Sequence, residues 1–257
     1  MTPEENQFLY ELEERHWWFQ GMRRILAGLL NRHVPSPVRV LDAGCGTGFM
    51  LSWLRRRVGN AKVLGLDFSA NALSYCQARG ERLLVQGSIG DLPFRSDCFD
   101  LILTLDVLDS FPRQEASRPF AELARVLRKG GTILVRVPAF QFLYSQHDRA
   151  VSTVHRYTAH ELADCLKREG LTLGRVTYAN TFLFPLAALW RRLRRSQAGK
   201  CQSDVKPLPR GLRWLNPLLA GILGIEAWWL KCLPWRLPVG LSVIALASKP
   251  KAQPPSS

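Results

Sequence analysis

The sequence lacks any run of about 20 apolar residues that could span a membrane, because Asn216, Pro217 and Glu226 interrupt the best candidate. Its six cysteines are scattered and form no C-x-x-C pair. The N-terminus shows no obvious secretory signal. These absences argue against a membrane-spanning protein and against a disulfide scaffold, and they predict a reduced, cytoplasmic location.

Acidic residues are scarce near the C-terminus. Residues 179–257 contain 12 basic and 2 acidic side chains, whereas residues 1–178 contain 23 basic and 19 acidic ones. The formal net charge of +14 is therefore concentrated in the last third of the chain. A basic surface of this kind is typical of proteins that meet nucleic acid or an anionic membrane.

The sequence does contain a regular alternation of short apolar runs and amphipathic stretches, which is typical of a parallel sheet covered by helices. The predicted strands are Val38–Ala43, Lys62–Asp67, Leu83–Gly87, Phe99–Leu105, Thr132–Val137, Thr172–Tyr178 and Gly240–Ser248. The predicted helices between them are Gly48–Arg57, Ala70–Arg79, Arg118–Leu127 and Ala159–Glu169. Thr158 and Glu161 form a capping-box pattern, and Lys129-Gly130-Gly131 is expected to close the helix before the fifth strand.

These elements divide the chain into three parts. Residues 1–37 are predicted to form a helical cover, with one helix from Pro3 to Arg32. Residues 38–248 form a single domain, in which residues 180–238 are a basic, tryptophan-rich helical insertion before the last strand. The tail at residues 249–257 is predicted to be disordered.

The most informative motif follows the first predicted strand. Residues 40–48, VLDAGCGTG, place glycines in a tight turn where the backbone can approach a ligand closely. Asp67 follows Gly44 by 23 residues, near the spacing at which a carboxylate accepts hydrogen bonds from ribose hydroxyls, although it could also cap the next helix. A dinucleotide fingerprint requires a third glycine where this chain has Phe49, so a pyrophosphate is disfavoured and S-adenosylmethionine is favoured.

The sequence resembles class I S-adenosylmethionine-dependent methyltransferases through motifs that are ordered across residues 38–178. These motifs are Val40–Gly48, Leu64–Ser69, Asp91–Phe94, Phe99–Leu103 and Leu127–Gly131. The resemblance implies an α/β, Rossmann-like fold with a mostly parallel seven-strand sheet, helices on both faces and a helical insertion before the last strand.

The resemblance also implies, position by position, how the cofactor is bound. The residues expected at the methionine moiety are Asp42, Gly44, Cys45, Gly46 and Gly48. Asp67, with Phe68 beside it, is expected at the ribose, and Ser88 and Ile89 at the adenine. Leu105 and Asp106 are expected beside the reacting sulfonium.

Two positions depart from the family pattern. Ser88 stands where members commonly have Asp, and Asp109-Ser110 stands where they commonly have Glu-His. A serine hydroxyl can still hydrogen-bond an adenine amine, so cofactor binding is expected to survive. The missing histidine removes a familiar candidate for a base.

The flanks resemble a narrower, type 11/12-like bacterial branch through Glu14–Phe19 and His155–Thr158. In such enzymes an N-terminal helix often lies over the cofactor, which implies that Trp18 covers the site and that Arg23 pairs with the methionine carboxylate. The alternative is that the aromatic residues belong to the core and the arginines are solvated.

His147 and His155 are the candidate catalytic residues. They follow the fifth strand, at the edge where such sheets bind ligands, and are assigned to acceptor orientation or proton abstraction. A loop histidine is also commonly a structural hydrogen-bonding residue. Their spacing with His160 and Cys165 matches no zinc pattern, so no metal site is predicted.

The insertion combines apolar, aromatic and basic residues, a composition that suits an interfacial helix. Residues 182–237 are therefore predicted to meet an anionic membrane surface and to receive a small-molecule or lipid-linked acceptor. Helices packed on the sheet, or a dimer contact, explain the same composition equally well. Nucleic acid is a weaker partner, because the arginines lie among bulky apolar residues.

The sequence as a whole predicts an enzyme that transfers a methyl group from S-adenosylmethionine to an unidentified acceptor. The expected location is cytoplasmic, at the inner membrane face if the insertion binds lipid. A non-catalytic adenosyl-binding or membrane-associated scaffold remains an alternative, as does an NAD-dependent oxidoreductase. The oligomeric state stays open.

Overall fold

A computed structural model of the chain describes residues 3–33, 38–59, 61–194, 209–212, 214–233 and 235–251. Its core is a seven-stranded sheet with the strand order β3-β2-β1-β4-β5-β7-β6. The strands are β1 (Arg39–Ala43), β2 (Lys62–Asp67), β3 (Leu84–Gln86), β4 (Phe99–Leu105), β5 (Leu127–Pro138), β6 (Thr172–Ala179) and β7 (Ser242–Ser248). Only β7 pairs antiparallel to its neighbours β5 and β6, which confirms the predicted mostly parallel sheet of seven strands.

Helices join the strands. They are α1 (Pro3–Leu12), α2 (Trp17–His33), α3 (Phe49–Arg57), α4 (Ala70–Ala78), α5 (Ser117–Val126), α6 (Gln146–Ala150), α7 (Ala159–Arg168), α8 (Phe184–Arg194) and α9 (Leu215–Cys232). The predicted capping box at the start of α7 is confirmed, since the Thr158 hydroxyl accepts a hydrogen bond from the Glu161 amide and the Glu161 carboxylate accepts one from the Thr158 amide.

The prediction of a single N-terminal helix is wrong, because the helix is interrupted between Leu12, where α1 ends, and Trp17, where α2 begins. At the break, the His16 ring accepts a hydrogen bond from the Trp18 amide, which serves the start of α2. Glu13 and Glu14 turn instead toward Thr47 and Arg79 on the sheet domain. Tertiary contacts of these charged side chains therefore override the local helical pattern.

Three residues predicted to close a helix, Lys129-Gly130-Gly131, lie inside β5 instead. Helix α5 ends at Val126, and Leu127 already pairs with Phe99 of β4. Gly130, with φ +77°, bends the strand, and its amide donates a hydrogen bond to the Lys249 carbonyl. The strand thus begins five residues earlier than predicted because β4 and the segment after β7 supply its hydrogen-bond partners.

The start of the predicted disordered tail is held in place. The Lys249 ammonium donates hydrogen bonds to the Ala124 and Leu127 carbonyls at the end of α5, at 2.9 Å each, and to the Asp97 carboxylate at 2.8 Å. Residues 252–257 of that tail lie outside the described residues.

Helix α9 of the insertion packs against α2 of the N-terminal cover, so these two parts share one interface. A buried carboxylate, Glu226, accepts hydrogen bonds from the Asn180 and Thr181 amides at the start of the insertion. The buried Arg175 of β6 donates to the carbonyls of Leu230 and Trp235 at its end. Both ends of the insertion are therefore fixed by buried charged groups.

Two glycines provide a matched test of the α2–α9 contact. A Cβ on Gly21 of α2 would lie 2.3 Å from Leu223 Cδ1, whereas a Cβ on Gly221 of α9 meets nothing within 4 Å. We expect Gly21→Ala to lower the free energy of unfolding by about 1–3 kcal/mol through overpacking. Gly221→Ala should raise it by about 0.5–1 kcal/mol, because alanine favours a helix over glycine. Urea titration of both variants measures the difference, and equal effects would contradict this packing.

Candidate active site

The predicted ligand loop lies at the carboxyl ends of β1 and β2. The Gly44 and Cys45 amides donate to the Leu66 carbonyl at 2.7 and 2.9 Å, which fixes the loop against β2. Gly46 adopts φ +53° and has open space where a side chain would lie. Gly48, with φ +83°, packs so tightly on α4 that a Cβ would come within 2.9 Å of Cys76 Sγ. The loop therefore needs glycine for both its backbone shape and its close contacts.

The Asp67 side chain stabilises the glycine loop. One of its carboxylate oxygens accepts the Gly46 amide at 2.8 Å, and the other accepts the Ser69 amide at 2.9 Å, so the side chain both holds the loop and supports the start of α4. Of the two roles considered from the sequence, the structure shows the local one, and ribose binding by Asp67 stays a prediction. Phe68, next to it, is 79% exposed and is open to a planar group.

Asp42 is buried beneath the loop, and its Oδ2 has no hydrogen-bond partner among the described residues. Burial, together with repulsion from Asp67 and Glu13, raises the pKa of Asp42 to about 7, against a smaller opposing effect of Arg136. A ligand that carries positive charge would satisfy this carboxylate, whereas a pyrophosphate would be repelled by it.

The break between α1 and α2 brings in residues that the sequence did not indicate. The Glu13 carboxylate accepts a hydrogen bond from the Thr47 hydroxyl of the loop, and burial raises its pKa to about 7. Arg79 donates to the Thr47 carbonyl at 3.0 Å, to the Tyr10 carbonyl at 3.0 Å and to Glu14 at 2.6 Å. Arg79 thereby ties the N-terminal cover to the glycine loop.

Asp106 follows β4 with a positive φ of +55°. Its carboxylate accepts hydrogen bonds from Arg136 of β5, and the Arg136 guanidinium also lies 5.1 Å from the centre of the Trp18 ring. Leu105 pairs with Arg136 across the sheet. Trp18 therefore contacts Arg136, a cation that the sequence analysis did not single out, and its predicted role as a cover of the cofactor stays a prediction.

The sequence analysis did not identify Arg136 and Glu13 as site residues, although the sequence around each of them is unusual. Arg136 is the only charged residue of the predicted strand Thr132–Val137, and its neighbours Val135 and Val137 are apolar and buried. Such a charge is rarely buried without a specific partner. Glu13 belongs to the charged stretch Glu13-Glu14-Arg15-His16, which interrupts the apolar spacing of the predicted helix.

Several predicted cofactor residues are used within the protein. The Ser88 hydroxyl accepts the Gly90 amide at 3.1 Å, and Ile89 is buried in the core. The Arg23 guanidinium lies over the ring of Phe49, at the start of α3, 5.0 Å from the ring centre. Cys45 is buried and faces Cys76, with 3.9 Å between the sulfur atoms. Their contacts with a cofactor stay predictions.

The two candidate catalytic histidines lie in the segment between β5 and α7. His147 is half-buried in α6, which is a short helix rather than a loop. His155 lines a groove between α5 and α7, with its ring against Tyr157 and its Nε2 3.3 Å from Glu161 Oε1. Their catalytic roles also stay predictions. No group of three or more potential metal ligands occurs within the described part of the chain.

The departure at Asp109-Ser110 has a structural explanation. The Asp109 carboxylate accepts the Thr153 hydroxyl at 2.6 Å, and its carbonyl accepts the Val154 and His155 amides at 2.7 and 3.0 Å. Burial, with repulsion from Asp106, raises the pKa of Asp109 to about 7. This residue therefore ties the segment after β4 to the segment before α7.

Comparisons with known proteins agree with this architecture. Residues 41–135 match the sequence profile of a family described as methyltransferase domain. The chain is 37% identical over 99 residues to a fatty-acid O-methyltransferase of Mycolicibacterium smegmatis, covering 37% of this chain and 35% of that protein. It is 36% identical over 150 residues to a trans-aconitate 2-methyltransferase of Deinococcus radiodurans, covering 58% and 55%. The chain thus spans about a third to a half of the curated relatives it matches.

Solved structures show the fold. A methyltransferase from Thermotoga maritima, described as S-adenosylmethionine-dependent, superimposes with a TM-score of 0.56 at 16% identity, covering 96% of this chain and 95% of that one. Together with the strand order, this likeness confirms the predicted class I methyltransferase fold.

The raised pKa of Asp42 predicts how pH changes stability. A carboxyl group with a folded pKa of about 7 and an ordinary value of 3.8 favours the folded state below about pH 4 and loses that contribution as pH rises through about 7. Removal of this group should therefore stabilise the protein more at about pH 8 than at about pH 5. Urea unfolding of the ligand-free Asp42→Asn variant against wild type measures this change.

The exposed Asp91→Asn variant is the control, and its difference from wild type should vary less with pH. Glu13, Asp67 and Arg136 face Asp42 and are present in both proteins. Glu13, whose pKa is also raised to about 7, titrates in the same range in wild type and in the variant, so the comparison is made between the two proteins at each pH. A difference between Asp42→Asn and wild type that stays constant with pH would contradict the raised pKa.

Proposed function

We propose that the chain is a class I, S-adenosylmethionine-dependent methyltransferase that transfers the donor's methyl group to a small or lipid-linked acceptor. The match of residues 41–135 to a methyltransferase domain and the fold of the chain support this proposal. The observation that carries this proposal is the convergence of Glu13, Asp42 and Asp67 on the glycine loop. The donor carries a sulfonium and an ammonium group, so clustered carboxylates favour it over the pyrophosphate of a dinucleotide.

The binding arrangement that we propose follows the loop. Asp42 and the glycine loop at residues 44–48 face the methionine moiety, and Asp67 with Phe68 faces the ribose. Ser88 and Ile89 border the adenine, while Leu105 and Asp106 border the sulfonium. Trp18 covers the cofactor, and Arg79 keeps the cover closed through Thr47 and Tyr10. The role of Arg23 toward the methionine carboxylate is the least supported, because its guanidinium lies over Phe49.

The open space at Gly46 provides a sharp test of cofactor binding. Gly46→Ala places a methyl group where no protein atom lies within 4 Å, so only a ligand would meet it. We expect the dissociation constant for S-adenosylmethionine to rise at least about tenfold, as expected when a steric contact costs more than 1.4 kcal/mol. Isothermal titration calorimetry measures the constant.

Gly170→Ala is the matched control, because Gly170 also has a positive φ, of +73°, and no atoms within 4 Å of a Cβ. In both variants an alanine must adopt a positive φ, which lowers the free energy of unfolding by a similar amount. Only Gly46→Ala should lose affinity for S-adenosylmethionine. Equal affinity of the two variants would count against the loop as the cofactor site. Binding of NAD in preference to S-adenosylmethionine would revive the oxidoreductase alternative.

The acceptor that we propose is amphipathic, and the insertion receives it at an anionic membrane surface. Helix α9 buries Ala220, Leu223, Ala227 and Leu230 and exposes the opposite stripe. That stripe is Trp214, Leu218, Gly221, Ile225, Trp228 and Cys232, spaced three or four residues apart. Helix α8 exposes Leu186, Leu189 and Trp190 in the same manner. Exposed apolar helix faces, in a part of the chain (residues 179–257) that contains 12 basic and 2 acidic residues, fit an anionic bilayer surface.

No helix among the described residues is long and apolar enough to cross a membrane. A peripheral contact of the apolar stripe is therefore the form of membrane binding that we propose. The basic residues 195, 200 and 206, which add to the positive charge, lie outside the described residues. The name of the Mycolicibacterium relative, a fatty-acid O-methyltransferase, is consistent with an acceptor that has an aliphatic chain.

Vesicle binding tests the membrane proposal. At low salt, the protein should co-sediment with phosphatidylglycerol vesicles more than with phosphatidylcholine vesicles. Trp228→Ser should lower the partition coefficient of the protein between phosphatidylglycerol vesicles and water at least about tenfold, since it removes a large apolar side chain from the stripe. Leu83→Ser changes an exposed apolar residue beside β3 and should leave binding unchanged. No sedimentation of wild type at low salt would show that the stripe serves another partner.

A further inference from the structure

The Arg136 guanidinium is a buried cation at the edge of the sheet where the proposed acceptor arrives. Its side chain is only 9% exposed, and it lies near the end of β5, next to the end of β4. Its Nε and Nη2 atoms donate hydrogen bonds to the Asp106 carboxylate, and Trp18 covers one face of the group. Burial of an arginine in a central strand costs free energy of desolvation. We therefore expect a function for this guanidinium, such as the binding of an anion.

The Asp106 pair leaves part of the guanidinium free. Nη1 donates no hydrogen bond to any residue in the described ranges, although it carries two N–H groups. Asp106 itself is about one third exposed, so a second anion can approach from its side. A planar fork of this kind recognises carboxylates, and it suits them better than neutral hydroxyl or amine groups.

The segment beside Arg136 offers no obvious general base. Residues 106–110 contain no histidine. The Asp106 carboxylate is paired with Arg136. Asp109 is only 3% exposed, with one oxygen bound to the Thr153 hydroxyl and the other buried, so neither carboxylate is exposed and unpaired. A hydroxyl or ammonium acceptor must lose a proton to react, whereas a carboxylic acid with an ordinary pKa of about 4 is already ionised near pH 7. The charge and the missing base thus point to the same class of acceptor.

We propose that the acceptor is a carboxylic acid that is held by Arg136 and methylated on oxygen. This inference rests on the proposed methyl transfer and specifies its substrate class. A lone pair of the carboxylate oxygen forms the new C–O bond, while the S–CH3 bond breaks and its electron pair stays on sulfur. The products are a methyl ester and S-adenosylhomocysteine, and no proton, oxidant or base is required.

The surroundings of Arg136 suit this step. One positive and one negative charge combine into two uncharged groups, so a site shielded from water favours the reaction. Trp18 and the N-terminal cover provide such shielding on one side. Asp106 neutralises Arg136 when no acceptor is bound, and an arriving carboxylate competes with it for the same cation.

Matched acids and alcohols test the substrate class in the full-length protein. Butanoic, octanoic and hexadecanoic acids and the three alcohols of the same length are each incubated with S-adenosylmethionine that carries a labelled methyl group. Mass spectrometry should detect the methyl ester of at least one acid and no methyl ether of an alcohol. Methyl ethers from the alcohols, or no ester from any acid while the donor binds, would overturn the inference.

Variants separate Arg136 from a merely structural role. Arg136→Lys keeps the charge but loses the fork, and it should raise the acceptor KM about tenfold to a hundredfold, with the dissociation constant for S-adenosylmethionine unchanged. Asp106→Asn removes the competing carboxylate and should lower the acceptor KM at saturating donor. A destabilised protein would not show these opposite changes. Arg118→Gln, an exposed arginine on α5, is the control and should behave as wild type.

Two other results have distinct meanings. If Arg136→Lys weakens donor binding and leaves the acceptor KM unchanged, Arg136 holds the donor's own carboxylate and the inference is wrong. If wild type binds no S-adenosylmethionine in calorimetry, the proposed function fails as well. The failure of either proposal is therefore recognisable by itself.

Discussion

Three carboxylates, those of Glu13, Asp42 and Asp67, are held close together at the glycine loop, and hydrogen bonds from the loop backbone and from Thr47 keep two of them there. Asp67 uses both of its oxygens to fix the backbone, so it stays where the loop places it. Asp42 is buried below with one oxygen unpartnered among the described residues. Burial is the main cause of the raised pKa of both Asp42 and Glu13, and repulsion from Asp67 and Glu13 adds to the rise at Asp42. A cation that enters this site would stabilise the ionised carboxylates.

Two guanidinium groups balance this negative charge, and each organises one side of the site. Arg79 joins the loop to the N-terminal cover through backbone carbonyls, so the cover's position depends on the folded loop. Arg136 lies on β5, which pairs with β4, and it contacts Asp106 and Trp18. The donor and the acceptor are thus expected to approach from regions that differ in charge, which orients them for an in-line reaction.

The insertion belongs to the same arrangement through its contact with α2. Its buried charges, Glu226 and Arg175, are bound to backbone groups at its two ends. One side of α9 is used by the close packing at Gly21, and the other side is left exposed and apolar. The surface that we assign to a membrane is therefore a consequence of how the cover and the insertion share their interface.

The sequence by itself determined the parts of this protein that depend on local pattern. The alternation of apolar runs predicted seven strands, and the glycine spacing with Asp42 and Asp67 predicted the donor loop, because periodicity and backbone shape are properties of neighbouring residues. Only the tertiary structure decided that Glu13 breaks the first helix to reach Thr47, and that Arg136 meets Asp106, 30 residues away. It also placed His155 in the groove beside Glu161. Those contacts join segments that are distant in the sequence, and their strength depends on burial. Neither property can be predicted from the spacing of residues along the chain.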